Sequence, residues 1–177
     1  MGLSHQPVIL MRPGAANDRL AAKLKADGIE AWCWPAFTIT LPEDQELVAQ
    51  RLAHLDDVDM VVLPGGIPGT PNLAANKTVT DTCVSFAKSG KKVAAICAAP
   101  SVLASLGLLE GRKATAHAGF QDKLAGAEVL DTEVVVDGNI TTSYGLGGAI
   151  PFALELVRQL AGQAEADRIR NAIAYRH

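Results

Sequence analysis

Apolar and polar positions follow one another in blocks that predict strands and helices in turn. Short apolar runs are typical of buried strands, whereas apolar residues three and four apart are typical of helices. The predicted strands are residues 8–11, 29–33, 60–63, 93–96 and 113–115. The predicted helices are residues 17–27, 42–55, 78–89, 101–106, 149–160 and 164–174. Asp137-Gly138 lies between two further strand-like segments, 133–137 and 139–142, and predicts a hairpin.

This alternation predicts an α/β fold. Apolar strands joined by helices indicate a parallel sheet that is covered on both faces. We expect a three-layer α/β/α sandwich of the flavodoxin-like type, with strand order 2-1-3-4-5 and an added antiparallel hairpin. The 177 residues suit a single domain. Ligands bind such folds at the carboxyl ends of the strands.

Composition narrows the classes of partner and compartment. The net charge of −3 shows no basic excess, so neither nucleic acid nor an anionic membrane is expected as a partner. No apolar run is long enough to span a membrane, and the start lacks a signal peptide. Cys33, Cys83 and Cys97 lack the spacing of metal ligands, and their odd number suits a reducing compartment. We therefore expect a cytoplasmic protein (in the host cytosol, if engineered) without metal or cofactor.

The strongest chemical signal is a cysteine between a predicted strand and a predicted helix. Cys97 follows the apolar segment 93–96, and small residues lie on both sides of it. Such a sequence allows a sharp turn that leaves the sulfur exposed at the helix N-terminus. Unpaired N–H groups and the helix dipole at this position favour thiolate over thiol. Cys97 is therefore a candidate nucleophile.

Three further segments accompany this cysteine. Met60 to Gly66 reads as a buried strand followed by Pro-Gly-Gly, Thr115 to His117 supplies a histidine, and Thr142 to Gly148 precedes a terminal helix. In this order and spacing, from about residue 56 to residue 174, the chain resembles the ThiJ/PfpI superfamily. The resemblance is to its parkinsonism-associated branch of deglycases and chaperones.

The resemblance implies a site of cysteine, histidine and glutamate. It makes Cys97 the nucleophile and His117 its neighbour, while Gly65, Gly66 and the amide of Ala98 form an anion or oxyanion pocket. The family glutamate follows the first strand, but the segment from residue 12 to residue 29 contains none. Counting forward from the strand places Asp18 at the expected position, and counting back from Gly28 places Ala16 there. The sequence therefore predicts that the catalytic carboxylate is missing.

The first third of the chain has a different resemblance. A strand at residues 8–11, then Arg12-Pro13, a helix ending at Gly28 and a Pro-containing loop after the second strand are similar to the start of uroporphyrinogen-III synthase. This resemblance covers about residues 7–55. The combination predicts a hybrid, engineered or recombinant, that is joined between residues 47 and 59.

Three functions stay open at this point. The first is a flavodoxin-like hybrid that keeps a vestigial cysteine pocket without efficient catalysis. The second is a ThiJ/PfpI-type deglycase or glyoxalase-like hydrolase in which Cys97 attacks a small aldehyde or a hemithioacetal. The third is a redox-sensing or chaperone-like protein whose Cys97 becomes oxidised. The hairpin through which this branch pairs is absent after the second predicted strand, so a monomer is expected rather than a homodimer.

Overall fold

The computed structural model describes residues 8–10, 22, 25, 26, 31–33 and 58–176. The chain divides into two compact units, residues 1–52 and residues 53–177. The prediction of one domain stays a prediction.

In the first unit, two short strands form a parallel pair. Strand β1 is Val8–Leu10, strand β2 is Ala31–Cys33, and Val8 is in register with Ala31. The parallel pairing confirms the two strands predicted at the start of the chain. Residues 22, 25 and 26 are helical, within the helix predicted at 17–27. The helix predicted at 42–55 lies outside the described residues.

The second unit alternates strands and helices. Its strands are β3 Met60–Leu63, β4 Lys92–Ile96, β5 Lys113–Ala114, β6 Glu128–Val129, β7 Val134–Asp137 and β8 Ile140–Ser143. Its α-helices are α1 Gly69–Ala75, α2 Lys77–Ser89, α3 Pro100–Ser105, α4 Ala149–Ala161 and α5 Gln163–Ala172. Two 3-10 helices, Ala118–Lys123 and Leu146–Gly148, complete the unit. Helix α1 was not predicted, while the other four helices agree with the sequence pattern.

Four strands of the second unit form one sheet in the order β3-β4-β8-β7. Strands β3, β4 and β8 run parallel, and β7 closes the sheet as the antiparallel partner of β8 in the predicted hairpin. The flavodoxin-like α/β fold, with helices on both sides of the sheet, is thereby confirmed. One detail of the predicted strand order is wrong. The neighbour of β4 is β8, whereas the segment predicted as the fifth strand contributes only β5, which pairs with β6 in a separate sheet.

Strand β8 lies beside β4, and two of its polar side chains have hydrogen-bond partners in the core. All four residues of β8 are buried. Thr142 Oγ1 accepts a hydrogen bond from the Thr115 N–H at 2.9 Å, and Thr141 Oγ1 accepts one from Gln159 Nε2 at 2.9 Å. Threonine suits strands, and bonded hydroxyls remove the cost of burying polar groups. The first of these bonds also links the residue that follows β5 to β8, although β5 is not a neighbour of β4.

The ends of α2 follow the expected capping chemistry. The Asn76 side chain accepts a hydrogen bond from the Val79 N–H at 3.2 Å, and Gly90 ends the helix with a φ of 79°. Only glycine adopts such a left-handed conformation at little cost. Between these ends, the helix buries Cys83 and Phe86 in the main apolar core.

The helices of the described part of the chain are too short or too polar to span a membrane.

Candidate active site

The carboxyl ends of the parallel strands β3, β4 and β8 carry the residues of the candidate site. Gly65 and Gly66 follow β3, Cys97 follows β4 and Gly145 follows β8. His117 comes three residues after the end of β5. Loops at this edge of a parallel sheet converge, which is why such folds bind ligands there.

Cys97 occupies a sharp turn between β4 and α3. Its φ is 66°, one of two positive values among the described non-glycine residues. Its N–H donates to the Ser143 carbonyl at 2.9 Å, and its carbonyl accepts from the His117 N–H at 2.9 Å. These two bonds hold the backbone in a left-handed conformation that costs a non-glycine residue free energy. The side chain is half-buried, as the sequence predicts for an accessible sulfur.

Gly65 is needed because the turn at Cys97 passes directly against it. A Cβ atom at Gly65 would lie 2.5 Å from Cys97 Cβ and 2.6 Å from the Ile96 carbonyl oxygen. Both distances are far inside van der Waals contact, so no other residue fits without displacing the strand ends. The loop after β3 and the nucleophile turn are therefore built against each other.

Gly145 separates the thiol from the histidine. A Cβ atom at this glycine would lie 3.7 Å from both Cys97 Sγ and His117 Cδ2. The sulfur and the imidazole therefore border the same small space, which a side chain at position 145 would fill. Its φ of 143° also favours glycine. The glycines at residues 145, 147 and 148 do not by themselves reveal that this segment leaves room between two reactive groups.

His117 has one of its two ring nitrogens occupied by the backbone. Nδ1 accepts a hydrogen bond from the Gly119 N–H at 3.2 Å, as the cap of the following 3-10 helix. A neutral imidazole that accepts at Nδ1 carries its proton on Nε2; this tautomer is assigned from the hydrogen bond. The Cδ2 edge, which adjoins Nε2, is the edge toward Gly145 and Cys97. His117 is thus arranged to donate a proton or a hydrogen bond rather than to accept the thiol proton.

Three backbone N–H groups around the turn have no acceptor among the described residues. Among the described residues, no backbone hydrogen bond is donated by Gly65, Gly66 or Ala98. A Cβ at Gly65 would lie 3.3 Å from the Ala98 nitrogen, which shows how closely the two loops approach. Free N–H groups from adjacent loops can stabilise negative charge that develops on a substrate oxygen. The structure thus brings Gly65 beside Ala98, two of the three residues that the resemblance assigns to such a pocket, while a Cβ at the third, Gly66, would have no neighbour within 4 Å.

Asp18 and Ala16, the two alternatives from the sequence for the position of the carboxylate, lie outside the described residues. Cys97 Sγ has no hydrogen-bond partner within the described ranges. The same part of the chain contains no group of three or more His, Cys, Asp or Glu side chains that could hold a metal ion.

Comparison with known proteins gives consistent matches. A model of the DJ-1/PfpI family matches residues 40–159. Protein DJ-1 homolog A of Arabidopsis thaliana is 40% identical over 121 residues, which are 67% of this chain and 31% of the plant protein. Deglycase PfpI of Pyrococcus furiosus is 38% identical over 107 residues, 59% of this chain and 64% of that enzyme. The matched segments thus span less than two thirds of each relative.

A solved structure extends the match over almost the whole chain. The crystal structure of Drosophila melanogaster DJ-1beta aligns with a TM-score of 0.70 and 30% identity, and covers 97% of each chain. The alignment therefore includes the first third. Neither the family model nor these relatives support a uroporphyrinogen-III synthase-like beginning or a hybrid origin.

Proposed function

The chain belongs to the DJ-1/PfpI family, and from this premise we propose that it is a cysteine-dependent deglycase or glyoxalase-like hydrolase of small aldehydes. The similarity to an archaeal protein named a deglycase supports this activity over the inactive hybrid. The observation that carries the proposal is the strained turn at the half-buried residue Cys97, beside N–H groups that have no acceptor within the described part of the chain.

The first chemical step would be addition of sulfur to a carbonyl. The Cys97 thiolate attacks the aldehyde carbon, the C–S bond forms, and the π electrons of the carbonyl move to its oxygen. The resulting oxyanion would be stabilised by the N–H groups of Gly65, Gly66 and Ala98. With methylglyoxal the protonated product is a hemithioacetal. A base removes the proton from its former aldehyde carbon and a proton is returned to the neighbouring ketone carbon, so the first carbon is oxidised to a thioester and the second is reduced to an alcohol. Water then hydrolyses the thioester, so no external oxidant or cofactor is required.

His117 would assist by donating a hydrogen bond from Nε2–H to the oxyanion. Its Nδ1 is held by the Gly119 N–H, which leaves Nε2 as the donor beside the space next to Gly145. The proton that Cys97 loses must go to another base or to water. We propose the Asp18 carboxylate as the base that accepts the proton of the Cys97 thiol.

Turnover of methylglyoxal by matched cysteine variants tests the proposed function. We expect Cys97→Ser to lose more than about a hundredfold in kcat/KM, because nucleophile removal is among the most costly changes in an active site. Cys83→Ser is the control, since Cys83 is buried in α2 and does not line the site. Equal turnover by wild type and Cys97→Ser would overturn the proposal. Turnover unchanged in an Asp18→Asn variant would remove Asp18 from it.

Oxidation of Cys97 is a second candidate function, favoured by the same unbonded N–H groups. Peroxide converts a thiolate to a sulfenate with release of water, and a second equivalent gives a sulfinate. Gly65, Gly66 and Ala98 could donate hydrogen bonds to the sulfinate oxygens. Titration with peroxide should add two oxygen atoms to the Cys97 peptide before the Cys83 peptide changes. Simultaneous oxidation of both peptides would exclude a sensing role for Cys97.

The oligomeric state and location complete the proposal. We expect a cytoplasmic monomer. Sedimentation equilibrium over a wide concentration range tests the oligomeric state. A constant dimer mass at low micromolar concentration would contradict it.

A further inference from the structure

One residue borders both reactive groups of the candidate site and has no side chain of its own. A Cβ atom at Gly145 would lie 3.7 Å from Cys97 Sγ, 3.7 Å from His117 Cδ2 and 3.8 Å from Cys97 Cβ. These are ordinary van der Waals distances, so a single methyl group here would contact the thiol and the imidazole at once. The main chain of Gly145 therefore forms a wall of the space between the two side chains.

The backbone of Gly145 explains why this position carries no side chain. Its φ is 143° and its ψ is −152°, a combination that is essentially restricted to glycine. The Gly145 carbonyl accepts a hydrogen bond from the Gly148 N–H at 2.9 Å. Two residues before Gly145, the Ser143 carbonyl accepts one from the Cys97 N–H at 2.9 Å. Hydrogen bonds on both sides of the residue thus hold the conformation that keeps the space open.

The Tyr144 ring packs against the same loop. A Cβ atom at Gly147 would lie 3.0 Å from the Tyr144 hydroxyl oxygen and 3.4 Å from Tyr144 Cε2. A Cβ atom at Gly148 would lie 3.3 Å from Tyr144 Cε1. Such short distances show that the ring lies close against the main chain of both glycines. Because Tyr144 immediately precedes Gly145, this packing restrains the main chain that borders the thiol.

We propose that Gly145 determines the size of the aldehyde that reacts at Cys97, and that Tyr144 is the positioning residue that holds Gly145 in its open conformation. The size limit rests on the proposed function, in which the attacked carbon bonds to Cys97 Sγ while His117 Nε2–H donates to the oxyanion. The carbon then lies between the two side chains. Its remaining substituent shares the space that Gly145 borders, and the width of that space limits the bulk of the substituent.

Gly145→Ala narrows this space and tests the size limit. Glyoxal and phenylglyoxal are the probes, because they differ only in a hydrogen that is replaced by a phenyl ring. We expect the variant to lower the ratio of the two kcat/KM values, phenylglyoxal over glyoxal, by at least about tenfold, since a narrowed pocket excludes the bulkier substrate.

Gly162→Ala is the matched control. Gly162 has a φ of 88° and a ψ of 169°, so alanine causes a similar backbone strain there, but its Cβ would have no neighbour within 4 Å. The control should keep the wild-type ratio.

Variants of Tyr144 test the positioning role separately. Tyr144→Phe keeps the ring and should keep the wild-type ratio. Tyr144→Ala removes the ring, and we expect it to change the ratio in favour of phenylglyoxal, because the released loop no longer narrows the space. A lower turnover of both aldehydes at an unchanged ratio would remove Tyr144 from the proposal.

Failure of the reaction and failure of the size limit give different results. Wild type that turns over neither aldehyde would contradict the proposed function. Wild type that turns over glyoxal, together with equal ratios in Gly145→Ala and Gly162→Ala, would overturn the size limit alone. Labelling of Cys97 by iodoacetamide and by its N-phenyl derivative repeats the comparison without turnover, so that an inactive Gly145→Ala variant still gives a ratio. We expect the N-phenyl reagent to be slowed more, and equal slowing of both reagents would overturn the size limit.

Discussion

Two cysteines of the second unit occupy opposite environments. Cys83 lies within α2 and is 0% exposed, and burial raises the pKa of its thiol from 9.0 to about 11. Cys97 lies on the turn after β4, where it is half-buried and has a φ of 66°. The same residue type is therefore an apolar core group in one place and an accessible sulfur in the other. The difference comes from the backbone that carries each residue.

The largest effect should come from disturbing the support of the Cys97 turn. Gly65→Ala places a methyl group 2.5 Å from Cys97 Cβ, and we expect a loss of about 3 kcal/mol in the free energy of unfolding. Chemical denaturation measures this loss. Gly69→Ala is the control, because a Cβ there has no neighbour within 4 Å, and it should change stability by less than about 0.5 kcal/mol. Equal stability of the two variants would show that the loops do not press on each other.

A smaller effect should appear at Cys83 when the pH rises. Its pKa in the folded state is above 9.0, so the thiol ionises first in the unfolded chain. Stability from the protonated thiol is complete below pH 9 and is lost as pH rises toward 11. Relative to Cys83→Ala, wild type should lose roughly 2 kcal/mol of unfolding free energy by about pH 10.5. Parallel stability curves for the two proteins between these pH values would contradict the burial of this thiol.

The smallest effect is the difference in stability between glycine and alanine variants, which should have opposite signs at Cys97 and Cys83. At Cys97, glycine relieves the positive φ, so Cys97→Gly should be more stable than Cys97→Ala by about 1 kcal/mol. At Cys83, in a helix, Cys83→Gly should be less stable than Cys83→Ala by about 1 kcal/mol. Urea denaturation of the four variants measures both differences. The same sign at both positions would show that the Cys97 turn is not strained.

The predictable parts of the fold are those with long apolar periodicity. Helices α2, α4 and α5 and strands β3 and β4 fall within two residues of the sequence prediction at every end. Helix α1 was not predicted because its glycine, threonine and proline are weak helix formers. In such segments tertiary packing determines whether a helix forms. The predicted strand order is wrong at one place. Strand β5 has only two residues and pairs with β6, while the hydroxyl-rich β8 pairs with both β4 and β7.

The sequence allows the residues of the candidate site to be named, but it does not predict how they are hydrogen-bonded or arranged. The small residues around Cys97 are enough, by residue type, to indicate the sharp turn, whereas the N–H pocket of Gly65, Gly66 and Ala98 is what the family resemblance implies. The direction of the His117 ring depends on the Gly119 N–H, a local bond that residue type does not predict. Likewise, nothing in the composition of the loop at Gly145 reveals that it borders both the thiol and the imidazole.

The rate of alkylation at each cysteine under native conditions tests most directly whether Cys97 is an open nucleophile. Iodoacetamide labelling of the intact protein at neutral pH, followed by peptide mass spectrometry over time, gives a rate for Cys33, Cys83 and Cys97 separately. We predict that Cys97 reacts faster than both others, and faster than Cys83 by at least about a hundredfold, because burial and thiolate content control thiol reactivity. Methylglyoxal should slow the labelling of Cys97 alone. Equal rates at the three cysteines would contradict the account.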